Sequence, residues 1–398
     1  MSSHRPTDDD RSPGDTPLDN DAADGSTQPS ESTVSPSRRG LLRASAALGG
    51  LALAGAAVSR TGAGGGLSRR RFDHRPAPET DPPFVTPTEH FYSFSNGAPP
   101  EPIPLDSAML RVGSEISPKA VPWRDLVSLA TQRVHMTLQC DGSGYHEAEG
   151  GGPPAGCQQV QPDEDSSHPP PENWDWRFGG VGNAVWDVVP VAELYGALGI
   201  ELTGPWIRAV GRDGFARNLP VDLARMRDFS VAVGMNGEPL PDKHGAPGRL
   251  LVPGQYGMMS VKWLRELTTG ELLDARVFDG GPLPHYPVKP LAWATFPGQG
   301  ERVSSERVEA RGIAFAGEHP VKEVLLWVNP AEIWTAELVD TPSPHVWCRW
   351  KATIEVPRGS HQLHIACVDT RGQHSREQEP WGDAEGYGGF HVVDIVAT

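Results

Sequence analysis

Cysteine is scarce in this chain: Cys140, Cys157, Cys348 and Cys367 are the only four in 398 residues. That excludes a disulfide framework. There is no CxxC pair, and no CxxCH run to attach a haem. Apolar residues make up only 37%, low for a wholly globular chain. A long apolar run is also missing. The longest weakly apolar stretch, Ala44 to Val58, has 15 residues and is short for a membrane span. Positive charge is outweighed, with 35 Lys and Arg against 51 Asp and Glu and a net charge of −16. Residues 1–35 carry eight acids and two Arg, and residues 36–75 carry eight Arg and one Asp. The two segments nearly cancel, so the acidity belongs to the rest of the chain. Such a surface repels nucleic acid and anionic membranes, so no nucleic-acid partner is expected. It still allows a small basic pocket for an anion. What the chain has in plenty is Gly (45) and Pro (40), which favour loops and β-structure over long helices.

Residues 1–36 are Asp, Ser, Pro, Thr and Gly with almost no apolar side chain, and are expected to be disordered. Ser37-Arg38-Arg39-Gly40-Leu41-Leu42-Arg43 and the apolar run Ala44–Val58 follow. A basic patch ahead of an apolar core resembles a twin-arginine export signal. It implies an extracytoplasmic protein that is folded, with any cofactor inserted, before export. Residues 1–75 are therefore taken as leader and linker, 76–288 as the main domain and 289–398 as a second domain.

In the main domain, Arg133–Gln139 reads as a strand that delivers Cys140 at its end, beside Asp141 and Gly142. Residues 141–172 form a long Gly/Pro/acidic loop without periodicity. Val188–Leu198 has helical spacing, and His135 is expected to be a packed strand histidine. Phe229–Gly234 reads as a strand closed by the turn signal Asn236-Gly237, with further strand candidates at Leu250–Gly254 and Ser260–Leu264. From Leu291 the pattern changes to short strands at Glu306–Phe315, Val321–Val328, Val346–Val356, Gln362–Val368 and Phe390–Val396. Short strands separated by turn signals, such as Pro357-Arg358-Gly359, argue for a β-sandwich.

One thiol at a strand–loop junction suits a soft metal or a nucleophile. Asp213, His244, Arg249 and Lys262, in Gly- and Pro-bordered loops, suit a bound phosphate or another anion. On these residues alone, a lone cysteine with scattered cations is more often structural.

Longer motifs carry more. Thr137-Leu-Gln-Cys140 resembles the segment by which the sulfite oxidase family presents a thiolate to molybdenum. Gly179–Trp186 with Val189–Leu194, and then Gly211-Arg-Asp213-Gly, are similar to the family's next two blocks. The longest match is Met235–Gly254, continuing through Ser260-Val261-Lys262-Trp263-Leu264. The resemblance implies an α+β molybdopterin-binding domain of sulfite-oxidase type followed by an immunoglobulin-like β-sandwich that forms a homodimer. It implies molybdopterin and molybdenum as cofactors, with Cys140 on the metal. Asp213 would accept pterin N–H groups, and His244, Arg249, Ser260, Val261 and Lys262 would contact the phosphate side. Tyr92 and Ser93 align at the domain start. Tyr286 is the only tyrosine near the position of the family's active-site tyrosine.

The sequence departs from the family where substrate would sit. Phe94 stands in place of an arginine. Cys140 is followed by Asp141-Gly142-Ser143-Gly144-Tyr145, without the family's arginine pair, and the loop adds Cys157. Lys243 and Arg217 are the candidates to replace the lost cations. The expected reaction is oxygen-atom transfer to or from a small sulfur or nitrogen compound, with poor use of sulfite. Electrons would pass to a separate protein or a quinone system. Two other readings remain: an exported binding protein that has kept the scaffold without the chemistry, and a hydrolase using Cys140 as nucleophile.

Overall fold

A computed structural model describes residues 83–95, 99–130, 132–141, 143, 180–222, 229–271, 286–376, 386 and 388–398. The export-signal motif, residues 144–179 with Cys157, and the tryptophans at 174 and 176 lie outside them.

In chain order the first part contains β1 (Met109–Ser114), β2 (Ser117–Pro122), α1 (Trp123–Leu129), β3 (Gln132–Gln139), β4 (Val181–Pro190), α2 (Val191–Ala197), β5 (Trp206–Gly211), β6 (Ala216–Pro220), β7 (Ser230–Met235), β8 (Glu238–Pro239), β9 (Arg249–Leu251) and β10 (Leu264–Gly270). One sheet runs β2-β1-β10-β5-β6; another runs β3-β4-β7-β8, with β9 on β7. Two seven-residue α-helices, with the helical residues Val221 and Asp222, are the α content among the described residues, so sheets dominate the α+β domain expected from the sequence.

Local chemistry explains these elements. β7 is buried along its whole length, as its unbroken small and apolar run requires. The turn after it is the two-residue Asn236-Gly237 hairpin, with φ of 54° and 85°, pairing Met235 with Glu238. The apolar spacing at 188–198 yields a shorter helix than expected, because β4 continues to Pro190. α2 then buries Val191, Leu194 and Tyr195 on one stripe. Ser260–Trp263 is not a strand. Its backbone is held by a loop: Ser260 N–H donates to Gly257, Leu250 N–H to the Val261 carbonyl and Trp263 N–H to Gly245. Trp263 has φ of 49°, which ends any pairing before β10. His135 is exposed rather than packed, its ring 5.9 Å from that of Phe84.

The second part contains β11 (Leu291–Phe296), β12 (Glu301–Val303), β13 (Val308–Phe315), β14 (Val321–Asn329), β15 (Glu332–Thr335), β16 (Glu337–Leu338), β17 (Cys348–Ile354), β18 (Gly359–Asp369) and β19 (His391–Ala397). They form two sheets, β11-β13-β17-β16 and β12-β19-β18-β14-β15. Side chains of both, among them Val308, Trp350, Val324, Leu363 and Ile395, share one core. The two parts also pack on each other. Leu291, Trp293, Phe315 and Trp347 belong to the same apolar cluster as Leu110, Val231 and Tyr256. Thr137 N–H donates to the His345 carbonyl at 2.9 Å, and Trp347 N–H donates to Thr137 Oγ1 at 2.9 Å.

Candidate cofactor site

β3 and β4 pair along their full length, from Gln132 opposite Val188 to Gln139 opposite Val181. This register fixes where Cys140 emerges. Its N–H donates to the Gly180 carbonyl at 2.6 Å, and a turn follows in which Ser143 N–H donates to the Cys140 carbonyl at 3.0 Å. Gly180 suits this close approach: a Cβ on it would lie 3.1 Å from Cys140 Cβ and 3.2 Å from Ser143 Cβ. The half-buried Cys140 thiol donates to Asp141 Oδ1 at 3.4 Å.

The loop from Met235 to Trp263 supplies the cations. His244 is fully buried, and its Nε2 donates to the Thr88 carbonyl at 3.2 Å. Nδ1 then has no partner. Burial, with Arg249 and Lys243 nearby, pushes the imidazole down to about 3, so it is neutral at neutral pH. Arg249 is held by two carbonyls, through Nη1 to His244 at 3.2 Å and Nη2 to Ser260 at 3.1 Å, while its Nε is unpartnered. Its guanidinium lies 5.5 Å from the Trp186 ring centroid. Lys262 Nζ donates to Ser93 Oγ at 3.3 Å and to the Lys243 carbonyl at 3.2 Å, and stands 4.3 Å from the Trp263 ring centroid. Burial lowers Lys262 to about 7 and Arg249 to about 10. Burial also raises Tyr92, with the Cys140 side adding to the shift and Arg249 opposing it.

The structure therefore brings Tyr92, Ser93, Cys140, His244, Arg249, Ser260 and Lys262 into one neighbourhood. Three expectations need correction. Val261 turns its side chain into the core and its carbonyl is taken by Leu250, so only its N–H is left to meet a ligand. Asp213 is exposed, and its Oδ1 accepts from Phe215 N–H at 3.0 Å, so it first shapes the β5–β6 turn. Tyr286 is buried in the core, its ring 4.8 Å from that of Tyr256, and its backbone N–H donates to the side-chain Oε1 of Gln255. Ser260 works mainly through Arg249, since its hydroxyl accepts from Val252 N–H at 3.1 Å.

Sequence reasoning missed the buried polar atoms flanking the thiol. Both amide atoms of Gln139 and the Ser143 hydroxyl are buried and unpartnered. Nothing in their spacing signalled this, because both follow from the end of β3 meeting Gly180. Among the described residues no carboxylate lies within ion-pair distance of Arg249 or Lys262. Among them, too, no cluster of three or more His, Cys, Asp or Glu side chains could hold a metal ion. The donor set thus fits a ligand that brings its own negative charge and most of its own metal ligands, leaving one thiolate to the protein. Unsatisfied buried donors beside cations that lack an ion-paired carboxylate among the described residues are costly unless such an anion is bound.

Comparison with known proteins agrees. Residues 98–272 match the family model described as the oxidoreductase molybdopterin binding domain. Human mitochondrial sulfite oxidase is 26% identical over 340 residues, covering 75% of this chain and 58% of the human protein. The NADH nitrate reductase 2 of Phaseolus vulgaris is 33% identical over 112 residues, 25% of this chain and 12% of that protein. The sulfane dehydrogenase SoxCD from Paracoccus pantotrophus has the same fold, with a TM-score of 0.62 at 18% identity over 75% of this chain and 79% of that one. The site and its fold define a molybdopterin-binding oxidoreductase domain, whose cofactor is molybdopterin with molybdenum. Across three quarters of its length the chain is similar to the sulfite oxidases. It spans 58% of the length of the human relative.

Proposed function

We propose that this protein is an exported oxotransferase that moves an oxygen atom to or from a small sulfur or nitrogen compound, with Cys140 as the protein ligand to molybdenum. One observation carries the reading: a thiol at a strand end and the buried Arg249 flank the same tyrosine, Tyr92, and among the described residues no carboxylate lies within ion-pair distance of Arg249 or of the half-buried Lys262. When bound, the cofactor supplies a two-electron centre able to give or take an oxygen atom. The protein's part is positional. Arg249 and Lys262 would neutralise the cofactor phosphate, and the N–H of Val261 would add a donor. His244 Nδ1 would accept a hydrogen bond from the bound group. Asp213 would offer its second carboxylate oxygen to pterin N–H donors. A small, weakly charged substrate is favoured over sulfite, because Phe94 and Asp141 stand where cations are expected. Electrons would leave to a separate protein or a quinone system.

The Arg38-Arg39 motif and the apolar run after it support export by the twin-arginine route. The two facing sheets of residues 291–397 support an immunoglobulin-like β-sandwich, and family likeness supports a homodimer through it. Sedimentation of dilute protein tests the dimer, and a stable monomer would contradict it. The function is tested by metal and pterin analysis of protein from a cofactor-competent host, with Cys140→Ser beside it. Molybdenum in the unaltered protein and loss of the thiolate's share of the sulfur signal at the metal edge in the variant are expected. An unchanged metal spectrum would overturn the assignment.

A further inference from the structure

The turn that follows β3 carries a hydroxyl for which the phosphate-side cluster has no use. Ser143 is 2% exposed, and its Oγ has no hydrogen-bond partner. A hydroxyl buried in this way costs free energy until a ligand or another group meets it. Backbone contacts fix the turn beside the thiol. Ser143 N–H donates to the Cys140 carbonyl at 3.0 Å, and Cys140 N–H donates to the Gly180 carbonyl at 2.6 Å. The space that a Cβ on Gly180 would fill is bounded by Cys140 Cβ at 3.1 Å, Ser143 Cβ at 3.2 Å and Ser143 Oγ at 3.5 Å. Cysteine and serine therefore line one small gap, left open because residue 180 has no side chain. Arg249, by contrast, stands on β9, and β4 and β7 lie between β9 and β3 in the sheet. The hydroxyl thus shares its anchor with the thiol and not with the cations given to the phosphate.

We propose that the Ser143 hydroxyl is a specificity-determining donor for the compound bound beside Cys140, giving its hydrogen bond to the oxygen of a neutral S–O or N–O group. The proposal rests on the molybdenum reading above and names the donor which that reading leaves open. An S–O or N–O oxygen is a good acceptor that brings no net charge, so a single neutral hydroxyl can satisfy it and be satisfied by it. A doubly charged oxyanion needs paired, charge-assisted donors to leave water, and one serine cannot supply them. Ser143 therefore selects by what it offers: a hydrogen bond without a positive charge.

The test uses full-length, cofactor-loaded protein. Dimethyl sulfoxide serves as substrate, with a reduced dye as electron donor. Dimethyl sulfone serves as an unreactive compound that also carries S–O dipoles, its binding read from broadening of its methyl NMR signal. Ser143→Ala is expected to raise KM for the sulfoxide and Kd for the sulfone about fivefold each, with a smaller change in kcat. Ser143→Thr keeps the hydroxyl and should recover most of both. Ser143→Cys, a weak donor, replaces the alanine variant if that one does not fold. Unchanged KM and Kd at full molybdenum content would overturn the proposal, as would failure of the unaltered protein to bind either compound. A fall in kcat or an altered thiolate signal at the metal edge, with KM and Kd unchanged, would also overturn it, because the hydroxyl would then serve the Cys140 sulfur. Absence of molybdenum from the unaltered protein would instead overturn the parent reading. Sulfone titration of the metal-free chain then reads Ser143 by itself, and equal affinity in the serine and alanine forms would overturn its role there too.

Discussion

Arg249 ties down the loop that carries His244: its Nη1 donates to the His244 carbonyl at 3.2 Å while its Nη2 donates to the Ser260 carbonyl at 3.1 Å. From the start of β9, one guanidinium thus holds a carbonyl five residues before it and another eleven residues after it. The same side chain keeps an unpartnered Nε. Arg249 therefore has a structural and a ligand-facing use at once. Arg249→Lys keeps the charge but cannot span both carbonyls. It is expected to lower molybdopterin content severalfold and to cost roughly 1–3 kcal/mol of stability from the carbonyls left unpaired. Pterin fluorescence and denaturant unfolding of the same preparation check both. Normal loading with normal stability would show that the two hydrogen bonds are dispensable.

His244 sets the response of the cofactor-free chain to acid. Its folded value of about 3 lies below the unfolded value of 6.5, so the folded chain binds fewer protons between them. The resulting stability is complete above the unfolded value and is lost as pH falls toward the folded one. The loss should reach the order of a few kcal/mol. His244→Gln, which has no imidazole to protonate, should flatten this part of the profile. Urea midpoints measured on apo protein across this pH range decide it, and parallel profiles for the two proteins would refute the role given to His244.

Much of this site was legible in the sequence for a physical reason. A strand that ends in a cysteine and glycine, and a loop punctuated by Asn-Gly, Pro and Gly, are set by local backbone preferences. Cys140, His244 and Arg249 accordingly stand together. The misreadings came from contacts between distant segments. Ser260–Leu264 has the composition of a strand, but Arg249 and Gly245 capture its backbone groups. Val188–Pro190 has helical spacing, but pairing with β3 and β7 keeps it extended. Arg217 was recognisable only as a possible substitute cation, since its burial depends on β5 and β6 closing over it.

The contact between the two parts of the chain is expected to govern overall stability. Trp347 is 1% exposed, its indole N–H donates to the Phe84 carbonyl at 2.8 Å, and its backbone N–H reaches Thr137 on β3. Trp347→Ala removes a large buried ring and should cost roughly 3–5 kcal/mol. Because β3 leads directly to Cys140, reduced cofactor retention should accompany it. Thermal unfolding and molybdenum content measured together check the coupling. A variant that is destabilised yet fully loaded would show that the two are independent.

Cys348 and Cys367 are expected to stay unpaired. A hairpin around Pro357–Ser360 would place the two cysteines diagonally on one sheet, whereas a crossing between sheets would separate them. The structure shows the second arrangement. β17 pairs with β13 and β16, whereas β18 pairs with β14 and β19, so the chain crosses from one sheet to the other between Ile354 and Gly359. Both cysteines point into the shared core, fully buried, and both are free. Burial pushes the Cys348 thiol up to about 12 and raises Cys367 as well, so neither offers a thiolate for oxidation. They act as small apolar side chains in the core. Alkylation should therefore spare both in native protein and modify both once the chain is denatured without reductant. Protection of the pair in the denatured, unreduced chain would reveal a bridge between the sheets and contradict this account.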